Sequence, residues 1–256
     1  MAKTTKKIVA IGGGAIKFKR KRYDFATAQT TPIDKEIIKL SGQKNPTLCF
    51  IPTASMDSKS YTKIIKYHFG KSLGCKVKVL NLVTNPPSFD KIEKIIMGAD
   101  IIYVGGGNTR MMIEFWHKLG VDKVLKRAYD GGKVMCGLSA GAICWFKFGN
   151  SDSNKIEFGK EKSMIKVSAL GWIDAVLCPH YDAEAERKPS LKEMMKKEKK
   201  LKSIALDNCA AIEIIDDKFR VITSSKTAKC HLVYWDKDKF IEKDITSNKY
   251  QPLKNI

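Results

Sequence analysis

Arginine is scarce in this sequence. Only six of its 47 basic residues are Arg (Arg20, Arg22, Arg110, Arg127, Arg187 and Arg220), against 27 acidic residues and a formal net charge of +20. Arg makes bidentate phosphate and guanine contacts, whereas Lys is a solvated point charge. A Lys surplus spread along 256 residues therefore describes a surface rather than a nucleic-acid site, and nucleic acid is not the expected partner. No apolar stretch reaches 18 residues, which excludes a transmembrane helix. No apolar h-region follows the basic start, so no signal peptide is expected. The seven cysteines (Cys49, Cys75, Cys136, Cys144, Cys178, Cys209 and Cys230) contain no C-x-x-C pair. That argues against zinc-ribbon and dithiol redox chemistry and for reduced, buried thiols in a cytoplasmic protein. Histidine is rare too, with four in the chain, so few general bases are on offer.

Hydrophobic residues make up 43% of the chain, enough for a substantial core. Short apolar runs alternate with helical patterns. Lys7–Ile11, Leu48–Ile51, Val77–Leu82, Asp100–Val104, Lys133–Gly137 and Ala175–Cys178 read as strands. Helices are expected near Ile33–Leu40, Tyr61–Leu73, Phe89–Met97, Thr109–Leu119 and Val121–Asp130, and a Lys-rich amphipathic one within Lys188–Lys202. Continuous rather than alternating apolar strands indicate a sheet covered on both faces. Ala210–Ile215, Phe219–Ser224 and His231–Trp235 read as an antiparallel meander at one edge. The expected fold is α/β: three layers, a mostly parallel sheet with helices on both faces and a C-terminal antiparallel edge. With no linker or repeat, residues 1–256 are expected to form a single domain.

Gly137-Leu138-Ser139-Ala140-Gly141 follows a strand and precedes an apolar helical run, Ala142–Phe146. This is the G-x-S-x-G nucleophile elbow in its required context. Small flanking residues permit the sharp reversal, and the helix start behind Ser139 offers free N–H groups. A serine hydroxyl needs a base. His180 follows the run Ala175–Cys178 through Pro179, beyond a strand's carboxyl end, where α/β sheets bind ligands. For the acid, Asp152, Glu157, Asp174, Asp182 and Glu184 are all available, and spacing does not choose among them. The glycine runs Gly12–Gly14 and Gly105–Gly107 fail as dinucleotide motifs, because Lys17 and Arg110 stand where a third glycine is needed. Gly12–Gly14 reads as a structural turn. Gly105–Gly107 suits close backbone approach to a substrate.

Together with Phe50-Ile51-Pro52-Thr53-Ala54-Ser55, Tyr103-Val104-Gly105-Gly106-Gly107-Asn108-Thr109 and Cys178-Pro179-His180-Tyr181, these motifs resemble the peptidase E (dipeptidase E) family. Its fold is class I glutamine-amidotransferase-like. They occur in the family order over residues 7–215. The resemblance implies a serine peptidase that removes N-terminal Asp from short acidic peptides, without cofactor or metal. Ser139 would be the nucleophile, His180 the base and Asp152 the acid, with Glu157 as a second option. The oxyanion hole would use the N–H groups of Gly107 and Ala140. Substrate would meet Asn108 and Arg187, the latter pairing with the Asp carboxylate. The chain departs from the family at Asp207-Asn208-Cys209. A homodimer is compatible with the chain. Rival readings are a cyanophycinase-like enzyme or another serine hydrolase on the same scaffold, and a non-catalytic basic binding protein.

Overall fold

A computed structural model describes residues 4–18, 25–159, 163–246 and 248–256. The apolar runs become strands and the amphipathic segments become the helices between them. In chain order these are β1 (Lys7–Ile11), the hairpin β2 (Ile16–Phe18) and β3 (Phe25–Ala28), α1 (Thr31–Leu40), β4 (Thr47–Ile51) and α2 (Lys59–Ile65). A π-helix over Lys66–Ser72 extends α2. Next come β5 (Lys76–Val79), α3 (Phe89–Met97), β6 (Ile101–Val104), α4 (Thr109–Leu119), α5 (Val121–Asp130) and β7 (Val134–Leu138). Beyond the elbow lie α6 (Ala140–Ile143), β8 (Phe146–Ser151), α7 (Ser153–Phe158), β9 (Ile165–Ser168), β10 (Ile173–Cys178) and α8 (Arg187–Lys197). The chain closes with β11 (Ser203–Leu206), β12 (Ala210–Ile215), β13 (Lys218–Thr223), β14 (Cys230–Asp236), β15 (Lys239–Ile245) and β16 (Gln251–Pro252).

The first sheet has the order β16-β13-β12-β1-β7-β6-β4-β5. Its strands from β1 to β5 in that order are parallel, and β12, β13 and β16 form the antiparallel edge. Burial on both faces explains the unbroken apolar strands: Ile8, Val9, Ala10 and Ile11 of β1 are all fully buried, each large side chain contributing about 1.5–3 kcal/mol. Ile33 and Ile37 of α1 and Phe69 of the π-helix cover one face. Ile96, Trp116 and Leu125 from α3, α4 and α5 cover the other. The expected layering is observed.

Three expectations need correction. Ala175–Cys178 does not enter this sheet. It forms β10 of a second, six-stranded sheet, β15-β14-β11-β10-β8-β9, where it runs parallel to β8 and β11. β14, the expected third strand of the meander, also belongs there. The reason lies in pairing: β1 is already flanked by β7 and β12, so the first sheet leaves β10 no central position. The helix expected over Ala142–Phe146 ends at Ile143, and Phe146 opens β8. Both sheets share one apolar core, in which Ala175, Leu177, Ile204 and Leu206 pack with Ile8, Ala10 and Val104. The outer face of the second sheet is closed by Leu191 and Met195 of α8. All seven cysteines are free and buried. Among the described residues, no helix is long and apolar enough to cross a membrane.

Candidate active site

Ser139 stands between β7 and α6 with φ 56° and ψ −113°, a backbone region that non-glycine residues enter only under strain. The turn is tightened from both sides. Ser139 N–H donates to the Ile11 carbonyl at 3.0 Å. A Cβ on Gly137 would lie 2.4 Å from the Gly141 carbonyl oxygen, and one on Gly141 would lie 2.1 Å from that of Val104. Glycine at both positions is thus a packing requirement. Cys136 and Cys144 flank the elbow, but burial pushes both thiols well above their ordinary value. Neither offers a thiolate.

His180, with φ 52°, follows β10 and faces the same cavity as Ser139. Its backbone N–H donates to the Gly12 carbonyl at 3.2 Å. Its Nδ1–H donates to Asn208 Oδ1 at 2.7 Å, an acceptor that fixes this tautomer and leaves Nε2 free to accept a proton. No direct hydrogen bond joins the imidazole to Ser139 Oγ. Asn208 is itself held, its N–H donating to Asp182 Oδ1 at 2.7 Å. Gly13 packs directly on the pair: a Cβ there would lie 2.0 Å from Asn208 Oδ1 and 2.4 Å from His180 Nδ1. The Gly12–Gly14 run therefore does more than turn the chain. It admits the imidazole and its amide partner.

The other expected residues fall in two groups. Gly106 and Gly107 line the cavity, and Ala140 opens α6 behind Ser139. Gly107 adopts φ 135°, and a Cβ there would meet the Ala54 carbonyl oxygen at 2.1 Å. Asp152, Glu157, Asn108 and Arg187 are placed elsewhere. Asp152 immediately precedes α7, without a side-chain capping bond, and lies 3.8 Å from the Arg187 guanidinium. Glu157 is exposed and pairs with Arg110 at 2.5 Å. That guanidinium holds its carboxyl below the usual range. Among the described residues, no carboxylate forms an ion pair with His180. Asn108 caps α4 by accepting the Met111 N–H at 3.0 Å, and its amide nitrogen turns toward Ser153 and Glu157. Arg187 is 1% exposed. It donates to the Asn150 carbonyl at 2.6 Å and to Glu184 at 2.7 Å, which ties α8 to the end of β8. Its guanidinium is thus engaged inside the fold, away from the residues that line the cavity of Ser139.

The cavity holds about 360 Å³, within the range of small-ligand sites. Gly106, Gly107, Ser139 and His180 line it, and Ile64, Ile65, Phe69 and Leu138 supply apolar surface. Tyr61 accepts the Gly106 N–H at 3.5 Å, and burial pushes its hydroxyl up to about 12, so it stays neutral. Asp34 and His68 line the cavity as well. Neither they nor Asn208 stood out in the sequence. The only signals were a polar residue on the apolar stripe of α1, a histidine in a helical run, and the departure at Asp207-Asn208-Cys209.

An elbow serine at the end of a parallel strand, with a histidine across one cavity, defines the site of a serine hydrolase. The comparisons agree. The model of peptidase family S51 matches residues 24–222. The uncharacterized peptidase YgaJ of Bacillus subtilis (strain 168) is 35% identical over 229 residues, covering 89% of this chain and 92% of that protein. The uncharacterized peptidase Lin0382 of Listeria innocua is 31% identical, covering 74% and 89%. A crystal structure of a peptidase from an acI-B1 Actinobacterium superposes with a TM-score of 0.71 at 16% identity, covering 98% of each chain. The chain belongs to peptidase family S51, the peptidase E family, and is a serine-type peptidase.

Proposed function

We propose that the protein hydrolyses short peptides with Ser139 as nucleophile and His180 as general base, and that Asn208, rather than Asp152, orients the imidazole. The observation that carries this reading is the strained elbow serine sharing one cavity with a histidine whose Nδ1–H is already engaged. His180 Nε2 takes the Ser139 proton as Oγ attacks the scissile carbonyl. The oxyanion is received by the N–H groups of Gly107 and Ala140, each such donor contributing about 3 kcal/mol. His180 then protonates the leaving amine, and water resolves the acyl-enzyme. An amide partner fixes the tautomer without charge, as in Cys-His-Asn peptidases. The modest cavity favours short chains. Free, buried thiols support a reducing, cytoplasmic setting.

The family resemblance implies N-terminal Asp as substrate, but Arg187, the residue expected to pair with its carboxylate, has its guanidinium engaged inside the fold. No Arg or Lys lines the cavity among the described residues. The proposal is therefore a peptidase of short peptides, with Asp-X as one arm of a substrate panel beside apolar-X, β-aspartyl and ester compounds. Ser139→Ala should abolish hydrolysis of every good substrate and labelling by a fluorophosphonate probe. Retained hydrolysis in the purified variant would overturn the assignment.

A further inference from the structure

A second buried histidine takes no part in the hydrolytic steps. His231 lies on β14 and is 6% exposed. Its Nδ1 lies 2.9 Å from Asp244 Oδ1 and 3.8 Å from Glu242 Oε1, both on β15. Its Nε2 lies 3.4 Å from Asp207 Oδ1. Asp207 stands in the turn where the chain crosses from β11 of the second sheet to β12 of the first. Two of the ring's neighbours adjoin the proposed catalytic pair. Asp207 precedes Asn208, and Tyr181, whose ring centroid is 5.1 Å from that of His231, follows His180. Tyr181 donates its hydroxyl to Glu242 at 3.1 Å and its N–H to the Leu206 carbonyl at 3.0 Å. Backbone contacts hold the rest of the turn. Asp207 Oδ2 accepts the Lys229 N–H at 2.9 Å, and Cys209, with φ 66°, donates its N–H to the Gly13 carbonyl at 2.8 Å.

The charges around the ring suit a proton on each of its nitrogens. Three carboxylates face it, from Asp207, Glu242 and Asp244. Lys188 of α8 pairs with Glu242 at 3.2 Å, and Lys229 pairs with Asp244 at 2.6 Å. Among the described residues, His231 is the one cation within ion-pair distance of Asp207, a carboxylate that is itself 6% exposed. A neutral imidazole donates from one nitrogen only and sets the lone pair of the other against a carboxylate. The doubly protonated ring serves both sides. Burial pushes the Asp207 carboxyl up, while the Lys229 N–H and His231 hold it down, and nearby Asp182 adds negative charge. The adjacent Cys230 stays a thiol, because burial pushes it well up. We propose that His231 is a positioning residue: doubly protonated, it fixes Asp207 and so holds Asn208 against His180 Nδ1, and on losing its proton it lets that turn loosen. This role rests on the reading that Asn208 orients His180. Activity then rises with pH as His180 becomes able to accept the Ser139 proton, and falls at higher pH as His231 is discharged.

The test reads the rate at which an uncharged fluorophosphonate probe labels Ser139 between about pH 5 and pH 10, a step that needs His180 while the probe itself does not titrate. The native protein should give a bell-shaped profile. His231→Gln keeps a polar side chain but cannot carry the charge, so it should label about 10-fold more slowly at the optimum and lose the falling limb. Asp207→Asn retains an acceptor for the Lys229 N–H and should lose the same limb. In an Asn208→Ala background, His231→Gln should have almost no further effect, since the path through the turn is already cut. A falling limb that survives in folded His231→Gln protein, or an undiminished further loss in the Asn208→Ala background, would overturn the role. Nitrogen NMR of the histidines in the native protein needs no substitution. The His231 titration and the falling limb should share one midpoint, and separate midpoints would overturn the coupling. The readings fail in different ways. No labelling of the native protein sinks the hydrolytic assignment and this role with it, whereas a bell unaltered in His231→Gln sinks this role alone.

Discussion

At the residue scale, the site stores strain where chemistry is proposed. Ser139 has φ 56° and ψ −113°, which costs about 1–3 kcal/mol for a residue with a Cβ. Ser139→Gly should raise stability by about 1 kcal/mol, whereas Ser139→Ala should leave it near wild type. Urea denaturation of the two inactive proteins checks this. Asn208 acts through His180, so Asn208→Ala should lower kcat by up to about 100-fold with little change in KM. Asn208→Asp should keep activity and shift its pH profile, an outcome that a purely structural role would not produce. Asp34 gives a pH signature. Burial raises its pKa above 3.8, so the folded state binds the proton more tightly than the unfolded chain. Stability is then lost as pH rises through the folded pKa. Asp34→Asn should remove that decline, so the stability difference between variant and wild type should grow from pH 4 to pH 7. Ser139 and His180 were legible because each depends on neighbours in sequence, an elbow motif and a strand end. Asn208, Asp34 and His68 were not, because tertiary approach selects them. Asp152 and Arg187 were implied by the family resemblance, but they partner each other and the end of β8.

At the element scale, the elbow works because β6, β7 and α6 touch through backbone. Gly141→Ala would place a Cβ 2.1 Å from the Val104 oxygen. Backbone cannot yield as a flexible side chain can, so a loss of 3 kcal/mol or more is expected, read as a fall in Tm or in soluble yield. Arg187 joins α8 to β8 by a buried guanidinium. Arg187→Met should destabilise by about 3–5 kcal/mol, because Glu184 and the Asn150 carbonyl lose their donor. It should not act selectively on acidic substrates, which separates a tie between elements from a substrate contact. β1, β4, β6 and β7 were readable as unbroken apolar runs. β8 was not, because Phe146, exposed Lys147 and Phe148 alternate, and the preceding helix is a single turn. Pairing of β10 with β8 and β11 is set by which edges are free, a property that no local window contains.

At the whole-molecule scale, the charge of +20 is spread over lysines, many of them paired or over aromatic rings, such as Lys229 with Asp244 and Lys166 over Phe148. Net charge of this size repels itself at low ionic strength. Raising NaCl from 10 to 150 mM should therefore raise Tm, since screening relieves repulsion more than it weakens exposed pairs. A fall in Tm would mean that the ion pairs outweigh the surplus.

The close fit of Gly13 against His180 and Asn208 has a consequence for biosynthesis. The loop that admits the imidazole leaves β1, and β1 is anchored by β7 and by β12. An early segment must therefore wait for one about 200 residues later before its neighbours are in place. Such long-range pairing slows folding. It also means that a partly synthesised chain carries the elbow serine but not its amide-bound histidine. With the site proposed above, activity is therefore expected only once the strand that follows Asn208 has been made and paired with β1.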